Sequence, residues 1–340
     1  MDSLIARVNK NVSANRILFG LKLLFIVATV GFFLYGIAST YAFVVFLQED
    51  SSADFLDGTF YFTGLNTRDD MVTLLPIGLT GDWNTDASSL PVGLTDLAAV
   101  AMDNRIFVVG GYTDNNEYSR GIYSATVQDI TGTLSAWTWI GDMPEGLAGH
   151  QVVLHPTTDQ TSTLLILGGV SETFAPDSST TTYRVVIDNT TGGLVDPVAA
   201  GPSLEQPVHY HSSVLWGNYV YVIGGNRLEP YHDETYDIAY YAPLSEYGEL
   251  GSFTEMSATL PYPVRSAAGV LYTSETSQTI FVLGGTESNA NSSAFTPTVG
   301  VLIGDIDPDT GLVDSWRRSG AGDLVVPVWG HAGVIANGGN

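Results

Sequence analysis

Four apolar runs in this chain each end in a pair of glycines: Ile106-Phe107-Val108-Val109-Gly110-Gly111, Leu164-Leu165-Ile166-Leu167-Gly168-Gly169, Val220-Tyr221-Val222-Ile223-Gly224-Gly225 and Ile280-Phe281-Val282-Leu283-Gly284-Gly285. The first glycines of the pairs lie 58, 56 and 60 residues apart. One such run is a buried strand and nothing more. Four at near-constant spacing are a repeat, and a repeat of this period restricts the chain to folds built by packing one small unit on the next.

Two further landmarks keep the same period. A Leu or Met, usually followed by Pro, opens each unit at Leu90-Pro91, Met143-Pro144, Leu204-Glu205, Leu260-Pro261 and Leu324-Val325. Six residues after the second member stand Leu97, His150, His211, Ala267 and His331, and three further on Val100, Val153, Val214, Val270 and Val334. An aromatic residue precedes the Leu/Met at Trp83, Trp137, Phe253 and Trp316, while Val198 takes that place before Leu204. Between the glycine pair and the aromatic the pattern predicts one more strand, over 121–127, 182–187, 238–243 and 298–303. Turns ending in glycine follow at 129–132, 188–192 and 307–311, where glycine accepts positive φ. Each unit therefore holds four strands, the make-up of one blade of a β-propeller.

In these marks, an apolar strand closed by Gly-Gly and a Trp before a Leu-Pro turn, the chain resembles the kelch-repeat β-propeller family over residues 59–340. The resemblance implies an all-β fold of four-stranded antiparallel blades, six or seven in number. A partial first blade is expected over about 59–90, then four full blades, then the opening of another at Val328 that the chain leaves incomplete at Asn340. The units depart from the family in their greater length and in lacking a regular blade tyrosine between the glycine pair and the Trp.

Ahead of the repeat, residues 23–47 contain no charge. Those 25 residues make a helix of about 37 Å, enough to cross a hydrocarbon core of about 30 Å. A signal peptide's apolar stretch is about 7–15 residues, and here the apolar run continues through Phe43–Leu47, so a retained anchor over 23–48 is expected. Arg7, Lys10, Arg16 and Lys22 precede it and Glu49, Asp50, Asp54 and Asp57 follow. This places a basic cytoplasmic segment at 1–22, a linker at 49–58 and the propeller outside the cell membrane. Thr29, Gly36 and Thr40 form a small-residue face suited to a neighbouring helix.

Charge and composition exclude several functions. With 36 Asp+Glu against 12 Lys+Arg the chain carries a net charge of −24, the opposite of what a nucleic-acid partner needs. Cysteine is absent, which removes disulfides, thiolate metal sites and thiol nucleophiles. The resemblance points to propeller enzymes as well, but the galactose-oxidase type needs a Tyr–Cys cofactor and the sialidase type an arginine triad. The eight arginines beyond residue 23 are scattered among the units. A mutarotase-like sugar isomerase would use Arg265 and Glu205. No catalytic residue and no cofactor are expected.

The candidate metal sites each have a simpler structural counterpart. His150, His211 and His331 share one repeat position, where packing is the expected role. His209, His211 and His232, beside Asp233 and Glu234, form a denser polar group. Asp305, Asp307 and Asp309 alternate before Gly311 like a calcium loop, but the glycine comes one place late and no bidentate Glu follows. A hairpin turn is the default reading there and calcium the alternative. Asn189 and Asn291 head glycosylation sequons.

Three functions fit this reading: a non-enzymatic assembly subunit contacting membrane proteins and lipid through its helix and propeller loops, a carbohydrate-binding or sugar-isomerising propeller, and a surface structural protein. Residues 23–340 carry 35 acids and 8 bases, which disfavours anionic glycans and suits a basic partner. The assembly subunit is therefore the leading expectation.

Overall fold

The structure, a computed structural model, describes residues 44–45, 60–61, 88–128, 133–171, 178–228, 233–274, 277–288, 295–320 and 322–334. Trp83, His232 and most of the segments assigned to the cytoplasmic tail, anchor and linker lie outside them. Within the anchor segment, Val44–Val45 is extended rather than helical and pairs antiparallel with Phe60–Tyr61. Among the described residues no helix is long and apolar enough to cross a membrane.

From Ala87 onward the chain forms one compact unit of four antiparallel four-stranded blades, each laid down in strand order. Blade A comprises Ala98–Met102, Arg105–Val109, Gly121–Thr126 and Thr138–Asp142. Blade B comprises Gln151–Pro156, Thr161–Leu167, Thr182–Asp188 and Ala199–Ala200. Blade C comprises Ser212–Trp216, Tyr219–Ile223, Ala239–Pro243 and Thr254–Glu255. Blade D comprises Ala268–Thr273, Gln278–Leu283, Val301–Ile306 and Val313–Arg318. The first strands of successive blades lie side by side, as the inner strands of a propeller do.

The core sits between blades. Leu164 and Ile166 of blade B pack with Phe107 and Ile122 of blade A, whereas Leu165 and Leu167 pack with Val220 and Val222 of blade C. Tyr221 and Ile223 then join Ile280, Val282 and Leu302 of blade D. A second strand buried on both faces has no polar side, which is why these runs are continuously apolar rather than alternating. Of the repeated aromatics, Phe253 and Trp316 are buried. Trp137 is half-buried and donates its indole N–H to the Ser88 carbonyl at 3.0 Å.

Each glycine pair is a joint between blades. The first glycine's N–H bonds within its own blade, Gly168 to Thr181 O at 3.0 Å for example. The second reaches into the next unit: Gly111 to Leu147 O, Gly169 to Val208 O, Gly225 to Val264 O and Gly285 to Val328 O, all at 2.7–2.8 Å. Gly168 has φ +60°, and a Cβ there would run into the Val208 carbonyl oxygen. Positive φ and close backbone approach together make glycine obligatory. At the far end of the blades, turns rest on the preceding blade. Arg105 donates to Thr190 O at 2.9 Å, Arg184 to Tyr247 O at 2.7 Å, and the Tyr221 hydroxyl to Gly311 O at 2.9 Å.

Two details differ from the sequence reading. The third strand of blade D begins at Val301 instead of 298, because Phe295–Pro297 is taken into a separate small sheet with Thr286–Ser288 and Val264–Arg265. Blade C also carries a turn over 245–248, closed by Gly248 N–H to Ser245 O at 3.0 Å, that has no Asp to announce it. The 328–334 segment docks on blade D as the other units dock on theirs, but has no regular strand.

Candidate functional site

The residue just before the His150/His211 position has positive φ in every described unit: Asp96 (52°), Gly149 (63°), Tyr210 (51°), Ser266 (53°) and Gly330 (62°). Four hydrogen bonds link these residues into a chain. Gly149 N–H bonds to Asp96 O at 2.9 Å, then Tyr210 to Gly149 O, Ser266 to Tyr210 O and Gly330 to Ser266 O, each at 2.8 Å. The result is a rim of main chain passing from unit to unit. It borders a cavity of about 770 Å³ lined by the starts of the first strands.

Outside this rim a second repeated feature appears. The residue two before the His position pairs with the residue after the glycine pair: Thr95 with Tyr112, Ala148 with Val170, His209 with Asn226 and Arg265 with Thr286. A smaller pocket of about 360 Å³ opens here, and it shares Asp96, Tyr210 and Arg265 with the large cavity. Tyr112 and Tyr118 meet edge to face with ring centroids 5.0 Å apart, and His209 lies against Tyr210 at 4.7 Å. Burial, together with the charge of Asp96 and a hydrogen bond to it, pushes the Tyr210 phenol up to about 12. That phenol stays protonated at any physiological pH and donates.

His150 and His211 are about 1% exposed; the ring nitrogens of His211 and His331 have no hydrogen-bond partner, and the contact of His150 with the Val109 backbone only partly offsets its burial. Their Cε1 edges face the first glycine of the preceding pair: a Cβ on Gly110 would lie 2.7 Å from His150, one on Gly168 3.1 Å from His211, and one on Gly284 3.0 Å from His331. These imidazoles fill the notch that a missing glycine side chain leaves between units. Burial lowers His150 to about 4 and His211 to about 3, so both are neutral packing groups at pH 7.

His209 differs: its Nδ1 shares a 2.7 Å hydrogen bond with the Ser178 hydroxyl. Burial, reinforced by the Arg265 charge, lowers it to about 4. His209 and His211 are close enough for each other's charge to matter, while His232 lies outside the described residues. Among the described residues no three His, Asp or Glu side chains gather into a metal-holding group.

The three acids before Gly311 do not converge. Asp305 accepts from Thr279 at 3.0 Å and pairs with Arg317, which holds its carboxyl below the usual range. Asp307 caps its own turn, accepting from the Asp309 and Thr310 N–H groups at 2.8 and 3.3 Å. Asp188 does the same for Thr190 and Thr191 at 2.9 and 2.7 Å. Arg265 lines both cavities, but Glu205 is exposed and lines neither, so the pair that a sugar isomerase would need is not brought together there.

Sequence reasoning missed Asp96, Tyr112, Tyr118, Tyr210 and Asn226; of these Asn226 stands apart. It is fully buried, lines the smaller pocket, and has no partner at either side-chain amide atom. The signal available in the sequence was its place after a glycine pair, where blade B has Val170.

No family model matches the chain. Human multiple epidermal growth factor-like domains protein 8 is 27% identical over 181 residues and the rat protein 28% over 187, covering 48% and 50% of this chain. Each match spans only 6% of the relative's own length. Among solved structures, YjhT superposes with a TM-score of 0.51 at 12% identity, over 70% of this chain and 73% of its own. Four antiparallel four-stranded blades with adjacent inner strands, together with this likeness, make the described unit a β-propeller.

Proposed function

We propose that the chain is a non-enzymatic recognition subunit of a membrane complex, a kelch-type propeller carried outside the cell membrane on an apolar anchor helix that ends ahead of the extended Val44–Val45. The observation that supports it is the hydrogen-bonded rim. Main-chain bonds from Asp96 to Gly330 fix Asp96 and Tyr210 around one opening that Arg265, next to the rim residue Ser266, also lines, and a surface ordered in advance loses little freedom when a partner docks. The charge of −27 over residues 23–340 suits a basic partner and speeds its encounter. The small-residue face of the helix provides a second contact, with neighbouring helices and lipid. Neither a cofactor nor calcium enters this reading.

Full-length protein purified in mild detergent is expected to migrate on native gels with other membrane proteins, and to lose them when Asp96 and Arg265 are both changed to Ala. A lone monomer, or unaltered co-migration of the double variant, would overturn the reading. Orientation is tested by single cysteines in this cysteine-free chain. Asp159→Cys, on an exposed turn, should react with an impermeant reagent in intact cells, and Ser3→Cys should not.

A further inference from the structure

In each of the four blades the residue after the glycine pair bridges a residue on the far side of the following loop: Tyr112 with Tyr118, Val170 with Ser178, Asn226 with Thr235 and Thr286 with Pro297. The bridge is made of main chain, so the fold accepts Val, Ser, Thr or Pro there and calls for no aromatic ring. Blade A nevertheless places two tyrosines at it, edge to face and both half-buried. A third ring joins them from blade C. Tyr210 lies over Gly149, where a Cβ would come 3.0 Å from the ring, and its phenol bonds to Asp96. The glycine ahead of blade B thus clears the way for a side chain of blade C to reach the edge of blade A. Three half-buried phenol rings and an exposed carboxylate are gathered round one pocket.

We propose that this pocket binds a small methylated ammonium ion of the choline class. Its volume of about 360 Å³ is at the small end of ligand sites, which run from about 300 Å³ upward. Such a cation has no N–H to satisfy, and its charge is spread over methyl groups that aromatic faces attract. Tyr112, Tyr118 and Tyr210 supply the rings, Ala148 and Val170 apolar contact, and Asp96 the counter-charge. Two more acids, Asp114 and Glu117, stand exposed at the hairpin tip between Tyr112 and Tyr118 and add to the pull on a cation. The one arginine in the lining, Arg265, already has a partner of its own, and the buried imidazole of His209 is neutral at pH 7. A primary ammonium or a metal ion would give up water that one carboxylate, already accepting from Tyr210 and Thr95, does not replace. An anion would face Asp96, and a neutral sugar would bring no charge for the rings to attract.

The inference rests on the pocket alone and not on the partner proposed above. Full-length protein in maltoside micelles, titrated calorimetrically with choline chloride, is expected to bind it saturably. The neutral isostere, in which a tert-butyl group replaces the trimethylammonium, should bind at least tenfold more weakly, and so should ammonium chloride. Asp96→Asn removes the counter-charge at an exposed position whose positive φ asparagine accepts. It should weaken choline at least tenfold and leave the thermal midpoint of the unliganded protein unmoved. Tyr118→Leu should also weaken choline at least tenfold, whereas Tyr118→Phe, which keeps the ring, should retain it. The proposal is overturned if choline does not bind, if the neutral isostere binds as tightly, or if Asp96→Asn binds like wild type. The same titration in bilayer discs separates two sources of the cation. Weaker choline binding in phosphatidylcholine than in phosphatidylglycerol would assign the pocket to a lipid headgroup, and equal binding to a free solute; both outcomes support the ligand class. Co-migration of Tyr118→Leu with membrane partners reads the subunit role separately.

Discussion

Blades B and C are joined to their neighbours by the same main-chain bonds, glycine angles and buried histidine, yet blade B closes its rim with Ala148 and Val170 and blade C with His209 and Asn226. The first pair is what packing alone would choose. The second puts a buried amide and a desolvated imidazole in the same frame. Joints between blades are thus made of backbone and glycine, which leaves the rim side chains to vary without loss of architecture. In this propeller the structural load and the chemical variation are carried by different atoms of the same residues.

The test with the largest expected effect strikes what the two blades share. Gly168→Val forces a β-branched residue into φ +60° against the Val208 carbonyl. It should cost more than about 3 kcal/mol or prevent folding. Urea unfolding within about 0.5 kcal/mol of wild type, the range of neutral surface changes, would show that the joints are not glycine-dependent.

Exchanging the rim residues tests where they differ. Val170→Asn should destabilise by about 1–3 kcal/mol by burying an unpaired amide, while Asn226→Val should stabilise. Responses of the same sign, measured by chemical denaturation, would erase the contrast between the blades.

Acid should loosen both joints alike. His150 and His211 have folded pKa values of about 4 and 3, whereas the unfolded side chains titrate near about 6.5. The unfolded chain therefore takes up more protons as pH falls below the unfolded value, and stability drops from there towards the folded values. Each histidine should contribute about 1 kcal/mol of loss between pH 6.5 and 5.5. His150→Leu, which copies Leu97 of blade A, should remove one share. A variant whose stability falls with pH as steeply as wild type would place the acid sensitivity elsewhere.

The smallest effect belongs to the turns at the other end. Arg184→Ala deletes the hydrogen bonds to Tyr247 O and Gly248 O and should cost about 1 kcal/mol or less, because both partners can turn to water. A loss as large as that of the glycine variant would mean that the turns, rather than the glycine pairs, hold the blades together.

Much of this architecture could be read from the chain because it rests on residue types with few substitutes. Only glycine tolerates the joint, so the four pairs stood out, and doubly buried strands left unbroken apolar runs. The rim did not stand out. Its five members are Asp96, Gly149, Tyr210, Ser266 and Gly330, which share a backbone angle and no side-chain chemistry. The shift of the blade D strand to Val301 was hidden for a related reason: Thr286–Ser288 captures Phe295–Pro297 by main-chain pairing, to which sequence pattern is blind. Asn226 was overlooked because an asparagine after a glycine pair reads as loop, and only the comparison with Val170 makes it unusual. The alternating acids at 305–309 looked like ligands because turn caps and calcium loops use the same residue.

The glycine pairs also set up a measurement of motion. In each pair the first amide is bonded within its own blade and the second to the next unit. The two N–H groups of one dipeptide therefore report different openings in amide hydrogen exchange. Exchange at Gly110, Gly168, Gly224 and Gly284 requires a blade to unravel, whereas exchange at Gly111, Gly169, Gly225 and Gly285 requires neighbouring units to part. If units separate without unravelling, the second glycine of every pair will exchange faster than the first. Matched rates would mean that the propeller opens only as a whole.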